Sequence, residues 1–212
     1  MTSIDMGGVA AIAEQLGDDD LHVFLLPYER QRKRQPLRQV LGGYLGISAD
    51  EVTLVDGKFG RPALDRRHGG ALGFNWSHSN EHAAIVLGRH CTPGIDIERR
   101  RDHPRALDIA ERYFHAGERA LLAATPVEAR GAVFLQIWTA KEAVLKALGR
   151  GLAFGLDRLH VAGDQVQPML RWLDQDDASA WQLRQLDLGE EHVAALAWRG
   201  AARQVQCWTL AI

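Results

Sequence analysis

The sequence predicts an α+β fold, and three stretches carry that expectation. Leu21-His22-Val23-Phe24-Leu25-Leu26 has strand length and strand-type residues, Glu128 to Leu148 keeps apolar residues at helical spacing, and strand-like runs return after that helix. Strands and helices are mixed along the chain and do not alternate regularly, which disfavours a doubly wound parallel sheet.

Each element has its own signal. An acidic break at Asp18 to Asp20 precedes the Leu21–Leu26 strand, and Pro27 ends it. Leu37, Val40, Leu41, Tyr44 and Leu45 then recur at helical spacing and Gly46 supplies a stop, with a basic cluster of Arg30, Arg32, Lys33, Arg34 and Arg38 at the front. Val52 to Val55 reads as a short strand, Asp56-Gly57 as a turn, and Lys58 to Asp65 as an irregular loop that holds Gly60-Arg61-Pro62. Ala83 to Leu87 and Gly94 to Glu98, separated by Gly88 to Pro93, are expected as two adjacent strands. Ala106 to Phe114, Ala116 to Ala124 and Glu128 to Leu148 read as helices, the last closed by Gly149 and Gly151. Further strands are expected at Leu159 to Val161, Ala180 to Leu186, His192 to Trp198 and Val205 to Leu210.

Composition narrows the function classes. A chain of 212 residues with 46% apolar and 25% charged residues folds as a soluble globular protein, of one large domain or two small ones. A formal net charge of -2 gives no reason to expect nucleic acid, although the basic cluster could hold a phosphorylated small ligand. Cys91 and Cys207 stand far apart and in no metal-ligand spacing, so a reducing cytoplasm is expected. Met1 to Gly17 has neither a basic start nor an unbroken apolar run, so neither a secretory signal nor membrane attachment is expected.

Candidate chemistry concentrates in three places. In Gly94-Ile95-Asp96-Ile97-Glu98, strand geometry sends Asp96 and Glu98 to one face. That pattern is either the polar face of a half-buried strand or a pair of oxygen donors suited to a hard cation such as magnesium. On the long helix, Val133, Ile137, Val144 and Leu148 form an apolar stripe widened by Phe134, Trp138 and Leu145, and Lys141 lies inside it. A lysine at such an angle either snorkels or meets an anion. Glu142 and Lys146, four residues apart at the stripe's edge, are either a surface ion pair or two groups facing a cleft. Finally, Phe74-Asn75-Trp76-Ser77-His78-Ser79 gathers donors that could bind phosphate just before a strand. No Gly-x-Ser-x-Gly elbow surrounds Ser77, so a serine hydrolase built with His78 and Asp96 is disfavoured. No phosphate-binding P-loop or dinucleotide fingerprint occurs.

Taken in order, Gly60-Arg61-Pro62, Phe74 to Ser79, Gly94 to Glu98 and Trp138-Thr139-Ala140-Lys141-Glu142-Ala143-Val144-Leu145-Lys146 resemble the Sfp-type 4'-phosphopantetheinyl transferases. The resemblance implies two similar α/β halves packed about a pseudo-twofold, here residues 1–103 and 104–212. It implies transfer of the 4'-phosphopantetheine of coenzyme A to a serine of an apo acyl- or peptidyl-carrier protein, with release of adenosine 3',5'-bisphosphate. Asp96, Glu98 and Glu142 would be the magnesium ligands, the first two from one half and the third from the other. Lys146 would meet the pyrophosphate, Glu142 would be the base, and Asp96, Arg61, Pro62, Ser77 and His78 would line the coenzyme A site. The front of the chain departs from the family pattern: Tyr28 to Arg38 is compressed, and Arg30 and Arg34 are stand-ins for the family's 3'-phosphate ligands. Carrier docking is expected around Phe114 and the helix after it, with a core role for Phe114 as the competing reading. Two halves in one chain make a monomer sufficient. A non-catalytic coenzyme A- or carrier-binding homologue and a metal-dependent phosphate-ester hydrolase stand as alternatives.

Overall fold

The computed structural model describes residues 1–57, 59–163 and 167–211. Lys58, which begins the expected 58–65 loop, and Ile212, which ends the expected second half, lie outside the described residues. The chain forms two compact units, Met1–Pro93 with Ala202–Ile212, and Gly94–Ala201. The expected boundary after residue 103 therefore falls inside the second unit.

The first unit holds β1 (Thr2–Asp5), α1 (Val9–Ala13), β2 (Asp20–Pro27), α2 (Gln35–Leu45), β3 (Leu54–Asp56), β4 (Pro62–Leu64), β5 (Leu72–Ser79) and β6 (His82–Arg89). The last strand of the chain, β12 (Gln204–Ala211), returns to the same unit. Its main sheet has the order β1-β12-β2-β6-β5, with β12 parallel to both neighbours and the rest antiparallel. Leu37, Val40 and Leu41 of α2 pack with Val9 of α1 over Phe24, Leu26, Ile85 and Leu87 of the sheet. That face is the helical spacing read from the sequence. Gly46 ends α2 at φ 67°, a left-handed conformation that suits glycine.

Two expectations change here. Pro62 to Leu64, expected within a loop, is a strand that pairs with β3, Asp56 facing Pro62 and Leu54 facing Leu64. Three residues are too few to show a period, which is why the run reads as irregular. Phe74 to Ser79, expected just before a strand, lies within β5 and pairs along its length with β6. The tight turn at Asn80, with φ 54°, joins the two.

His22 on β2 is fully buried. Its Nδ1 lies 2.7 Å from the Tyr44 hydroxyl, and its ring meets Trp208 edge-on at 4.8 Å. Burial pulls its pKa down to about 4, with Asp20 opposing.

The second unit holds β7 (Gly94–Arg99), α3 (Ala106–Tyr113), α4 (Ala116–Ala124), α5 (Val127–Leu148), β8 (Leu159–Gly163), β9 (Pro168–Leu173), β10 (Trp181–Leu186) and β11 (His192–Arg199). The antiparallel sheet β10-β11-β7 packs against α5, and β8 pairs with β9. β7 and β6, expected as neighbours, belong to different sheets: β7 pairs with β11, placing Asp96 opposite Ala195 and Glu98 opposite Val193. β9 escaped the sequence reading because its burial skips from Leu170 to Leu173, out of step with strict alternation.

Lys141 of α5 meets an anion, one of its two expected fates. Its Nζ lies 2.6 Å from Glu118 Oε2 of α4 and donates to the carbonyls of Leu156 at 2.8 Å and Leu159 at 2.6 Å, with both side chains fully buried. Glu118 also accepts from the backbone N–H groups of His115 at 3.1 Å and Val161 at 2.8 Å. Burial drives Lys141 down to about 8 and Glu118 upward, while their mutual attraction opposes both shifts. The pair thereby pins α4, α5 and the start of β8 together. Removing either partner of such a pair costs about 3–5 kcal/mol, because the other charge is left buried.

The His22 environment predicts a pH dependence of stability. The folded state holds His22 neutral down to about pH 4, whereas an unfolded histidine binds a proton below about 6.5. Stability is therefore lost as pH falls between these values. Thermal unfolding of wild type and His22→Gln across that interval checks this, with the wild type expected to lose more.

Candidate active site

Asp96, Glu98, Glu142 and Lys146 all lie in the second unit, on β7 and α5. This differs from the expectation that two halves each contribute carboxylates. The reason is the pairing of β7 with β11 and its packing on α5. Ile95 and Ile97 are fully buried in the core, while Asp96 is 5% exposed and Glu98 half-buried on the other face, as strand alternation requires. Gly94 lets the strand approach the helix. A Cβ there would stand 2.1 Å from the Ala143 carbonyl oxygen and 2.4 Å from the Ala147 nitrogen, both backbone atoms of α5.

Lys146 Nζ lies 2.7 Å from Asp96 Oδ1 and donates to the Ile95 carbonyl at 3.1 Å. It thus engages the strand carboxylate and not Glu142 in an i, i+4 surface pair. Glu142, one turn earlier, is half-buried, and its Oε1 is buried with no hydrogen-bond partner among the described residues. Burial raises the Glu142 pKa to about 7, the Asp96 charge adds to the rise, Lys146 opposes it, and Glu98 adds again. Three carboxylates within electrostatic reach of one another face one ammonium.

Among the described residues no three His, Cys, Asp or Glu side chains are grouped closely enough to form a ready-made metal cage. Magnesium does not ask for one, since it is usually held by one or two carboxylates together with substrate phosphate and water. The orphaned Glu142 oxygen beside two further carboxylates fits such a cation, and Asp96, Glu98 and Glu142 are the donors that could take it.

The remaining candidates lie in the first unit. Arg61 donates from Nη2 to the carbonyls of Phe74 and Pro93, both at 2.9 Å, so part of its guanidinium is structural. Pro62 is buried on β4. Ser77 is buried and His78 exposed on β5, neighbours on opposite faces. The His78 ring stacks on Tyr28 at 4.7 Å, and Trp76 stands edge-on to both. Arg34 pairs with Asp56 at 2.7 Å, and Arg30 is exposed in the 3-10 turn before α2.

Phe114 is a core residue, 3% exposed and stacked on Phe134 at 5.5 Å, which removes it from a docking surface. Glu118 was not read as Lys141's partner. Its signal was local: His115 and Glu118 form a reciprocal helix cap three residues apart, and the same carboxylate reaches on to Lys141.

The 4'-phosphopantetheinyl transferase superfamily matches residues 92–197, a stretch that begins just before β7 and includes all of α5. The chain is 34% identical to the 4'-phosphopantetheinyl transferase HetI of Nostoc sp. over 93% of its own length and 84% of that protein. It is 28% identical to the 4'-phosphopantetheinyl transferase psf-1 of Bacillus pumilus over 82% of this chain and 72% of that one. The solved structure of the Thermotoga maritima holo-[acyl-carrier-protein] synthase overlays 51% of this chain and 62% of its own, with a TM-score of 0.41 and 21% identity. The likeness to HetI runs through both units and the family match contains all four charged groups of the site: the chain belongs to the 4'-phosphopantetheinyl transferase superfamily.

Proposed function

We propose that this chain transfers the 4'-phosphopantetheinyl group of coenzyme A to a serine of an apo acyl- or peptidyl-carrier protein. The observation that carries the reading is Glu142, whose carboxylate is held beside Asp96, Glu98 and Lys146 with its pKa raised to about 7. A carboxylate one helical turn from the lysine that meets the phosphate is placed to act as a general base. Glu142 takes the proton of the attacking serine. The serine oxygen bonds to the β-phosphorus, the bond from that phosphorus to the bridging oxygen breaks, and the electron pair leaves with adenosine 3',5'-bisphosphate. Lys146, 25% exposed and anchored on Asp96, meets the charge that develops on the leaving group.

Asp96, Glu98 and Glu142 would hold magnesium, the buried Glu142 oxygen with no partner among the described residues being one donor for it. When bound there, magnesium would neutralise the phosphate oxygens and ease approach of the nucleophile. In the first unit, Arg61, Pro62, Ser77 and His78, with Arg30 and Arg34, are the groups assigned to coenzyme A. Arg34 would then exchange its exposed partner Asp56 for phosphate. We place the protein in the cytoplasm, where Cys91 and Cys207, far apart in sequence, would stay as thiols. One chain supplies every assigned group, so a monomer suffices.

Intact-mass measurement of several apo-carriers, after incubation with coenzyme A and magnesium, tests the reaction. A carrier that gains the phosphopantetheinyl mass is expected, and that gain is expected to disappear in excess chelator. Release of the free arm with no modified carrier would mark a hydrolase instead.

Lys146→Ala is expected to cut turnover roughly 10²-fold while moving the unfolding midpoint by less than about 4 °C. Unchanged transfer at saturating coenzyme A and magnesium would remove Lys146 from the mechanism.

Glu142→Gln separates function from stability. With a folded pKa of about 7 against 4.5 for the free group, the native state binds the extra proton between these values, so this residue's contribution to stability falls as pH rises through them. The glutamine variant is expected to lose transfer yet, in the absence of metal, to unfold at a higher temperature than wild type at about pH 8. A variant less stable than wild type there would show that Glu142 is a structural group.

A further inference from the structure

Two histidines meet at the start of α4. His160 of β8 faces Trp172 across the β8–β9 pairing, and the His115 ring lies against both, stacked on His160 at 4.4 Å and tilted to Trp172 at 5.8 Å. Gly117 leaves room for the stack: a Cβ there would stand 2.8 Å from His160 Nε2. Both histidines are half-buried.

His115 is also the N-cap of α4. Its Nδ1 accepts from the Gly117 N–H at 3.2 Å, while its own backbone N–H donates to Glu118 Oε2 at 3.1 Å. That oxygen is the one 2.6 Å from Lys141 Nζ. A serine or asparagine cap accepts at any pH near neutrality. A histidine cap accepts only while Nδ1 carries no proton, so capping and protonation exclude each other.

The surrounding charges act in the same direction. A cation at His115 would join the positive end of the α4 dipole, Lys141 on α5 and Arg171 on β9. Glu118 opposes it, but Glu118 already serves Lys141, on which Asp157 also acts from the turn before β8. Arg119, the next cation on α4, is paired with Glu111 of α3 at 2.9 Å. Burial, and then the charges of His115, Lys141 and Arg171, hold the His160 pKa below the ordinary histidine value. An unfolded histidine binds its proton below about 6.5, so the stability held by neutral His160 is present above that pH and lost as pH falls through it.

We propose that His115 and His160 form a pH-sensitive latch on α4. With both rings neutral, the cap seats the first turn of the helix and presents Glu118 to Lys141. Protonation removes the acceptor of the Gly117 N–H and sets two cations, His115 and Lys141, on one carboxylate. The helix start then unseats, and its hold on α5 loosens one residue before Glu142. Neither histidine belongs to the groups assigned to the transfer reaction, so the latch goes beyond that reading.

His115→Ser keeps a capping oxygen and removes the titration, whereas His115→Ala removes both. Thermal unfolding of these variants and wild type between about pH 8 and about pH 5 reads the latch, and the His22 contribution, common to all three, cancels in the differences. At about pH 8 the alanine variant is expected to unfold about 2–4 °C below wild type, a gap that closes at about pH 5, where the serine variant is expected to lie about 2–4 °C above wild type. Nitrogen NMR of wild type at about pH 8 should show His115 as the Nε2–H tautomer, a reading that does not depend on any variant folding. Differences that stay the same at both pH values, or an Nδ1–H tautomer, overturn the proposal. Transfer by wild type should also fall more steeply than transfer by the serine variant below about pH 6.5, and parallel profiles overturn the coupling to α5. Absence of transfer at every pH in both proteins would count against the proposed reaction, and the unfolding and tautomer results would still decide the latch.

Discussion

The closeness of β7 to α5 at Gly94 sets the geometry on which the second unit's chemistry depends. Any side chain at that position would run into the Ala143 carbonyl and the Ala147 amide, so the strand would have to move away from the helix. Asp96 and Glu98 follow on the same strand, and Glu142 and Lys146 flank the contact on the helix. A shift of one ångström would stretch the Lys146–Asp96 bond from 2.7 Å to a distance at which hydrogen bonding is lost. The small residues Ala140, Ala143 and Ala147, all buried along α5, serve the same approach. In this respect the packing and the site have one cause.

That approach gathers Asp96, Glu98, Glu142 and Lys146 within electrostatic reach of one another. Burial raises the Glu142 pKa, the charges of Asp96 and Glu98 add to the rise against the opposing Lys146, and one Glu142 oxygen is buried with no partner among the described residues. The neighbouring residue shows the opposite solution. Lys141 is buried more deeply, yet it has Glu118 and two carbonyl oxygens within 2.8 Å. Buried ions that are fully satisfied hold a structure in one arrangement, whereas ions left short of partners are poised to take a ligand. Two adjacent residues of one helix thus differ in this way: Lys141 is fully satisfied, and Glu142 keeps an oxygen with no partner among the described residues.

Much of this was legible in the sequence because periodicity reports burial. The 22-residue helix α5, the core strands β2, β6 and β11, and the shared face of Asp96 and Glu98 all follow from it. What was not legible depends on contacts distant in sequence. Nothing local says that β7 leaves β6 and pairs with β11, since Gly88 to Pro93 is a plausible hairpin loop. The same limit hid the tie between Lys146 and Asp96, fifty positions apart, behind the nearer pairing with Glu142. Short elements fail for a different reason. β4 has three residues, too few for a period, and only its pairing with β3 makes it a strand.

Helix geometry shows how one element serves all these ends. At about 100° per residue, Trp138, Glu142 and Lys146 fall within roughly 80° of arc, while Lys141 points about 100° away from Glu142. The first direction meets β7; the second meets α4 and the chain leading into β8. An ion pair on the second side fixes rotation about the helix axis, and rotation is the coordinate that would carry Glu142 and Lys146 away from Asp96. Sliding along the axis is opposed by the Gly94 contact. The buried Lys141–Glu118 pair, which touches neither Glu142 nor Lys146, therefore opposes rotation while the Gly94 contact opposes sliding, and the placement of Glu142 depends on both restraints together.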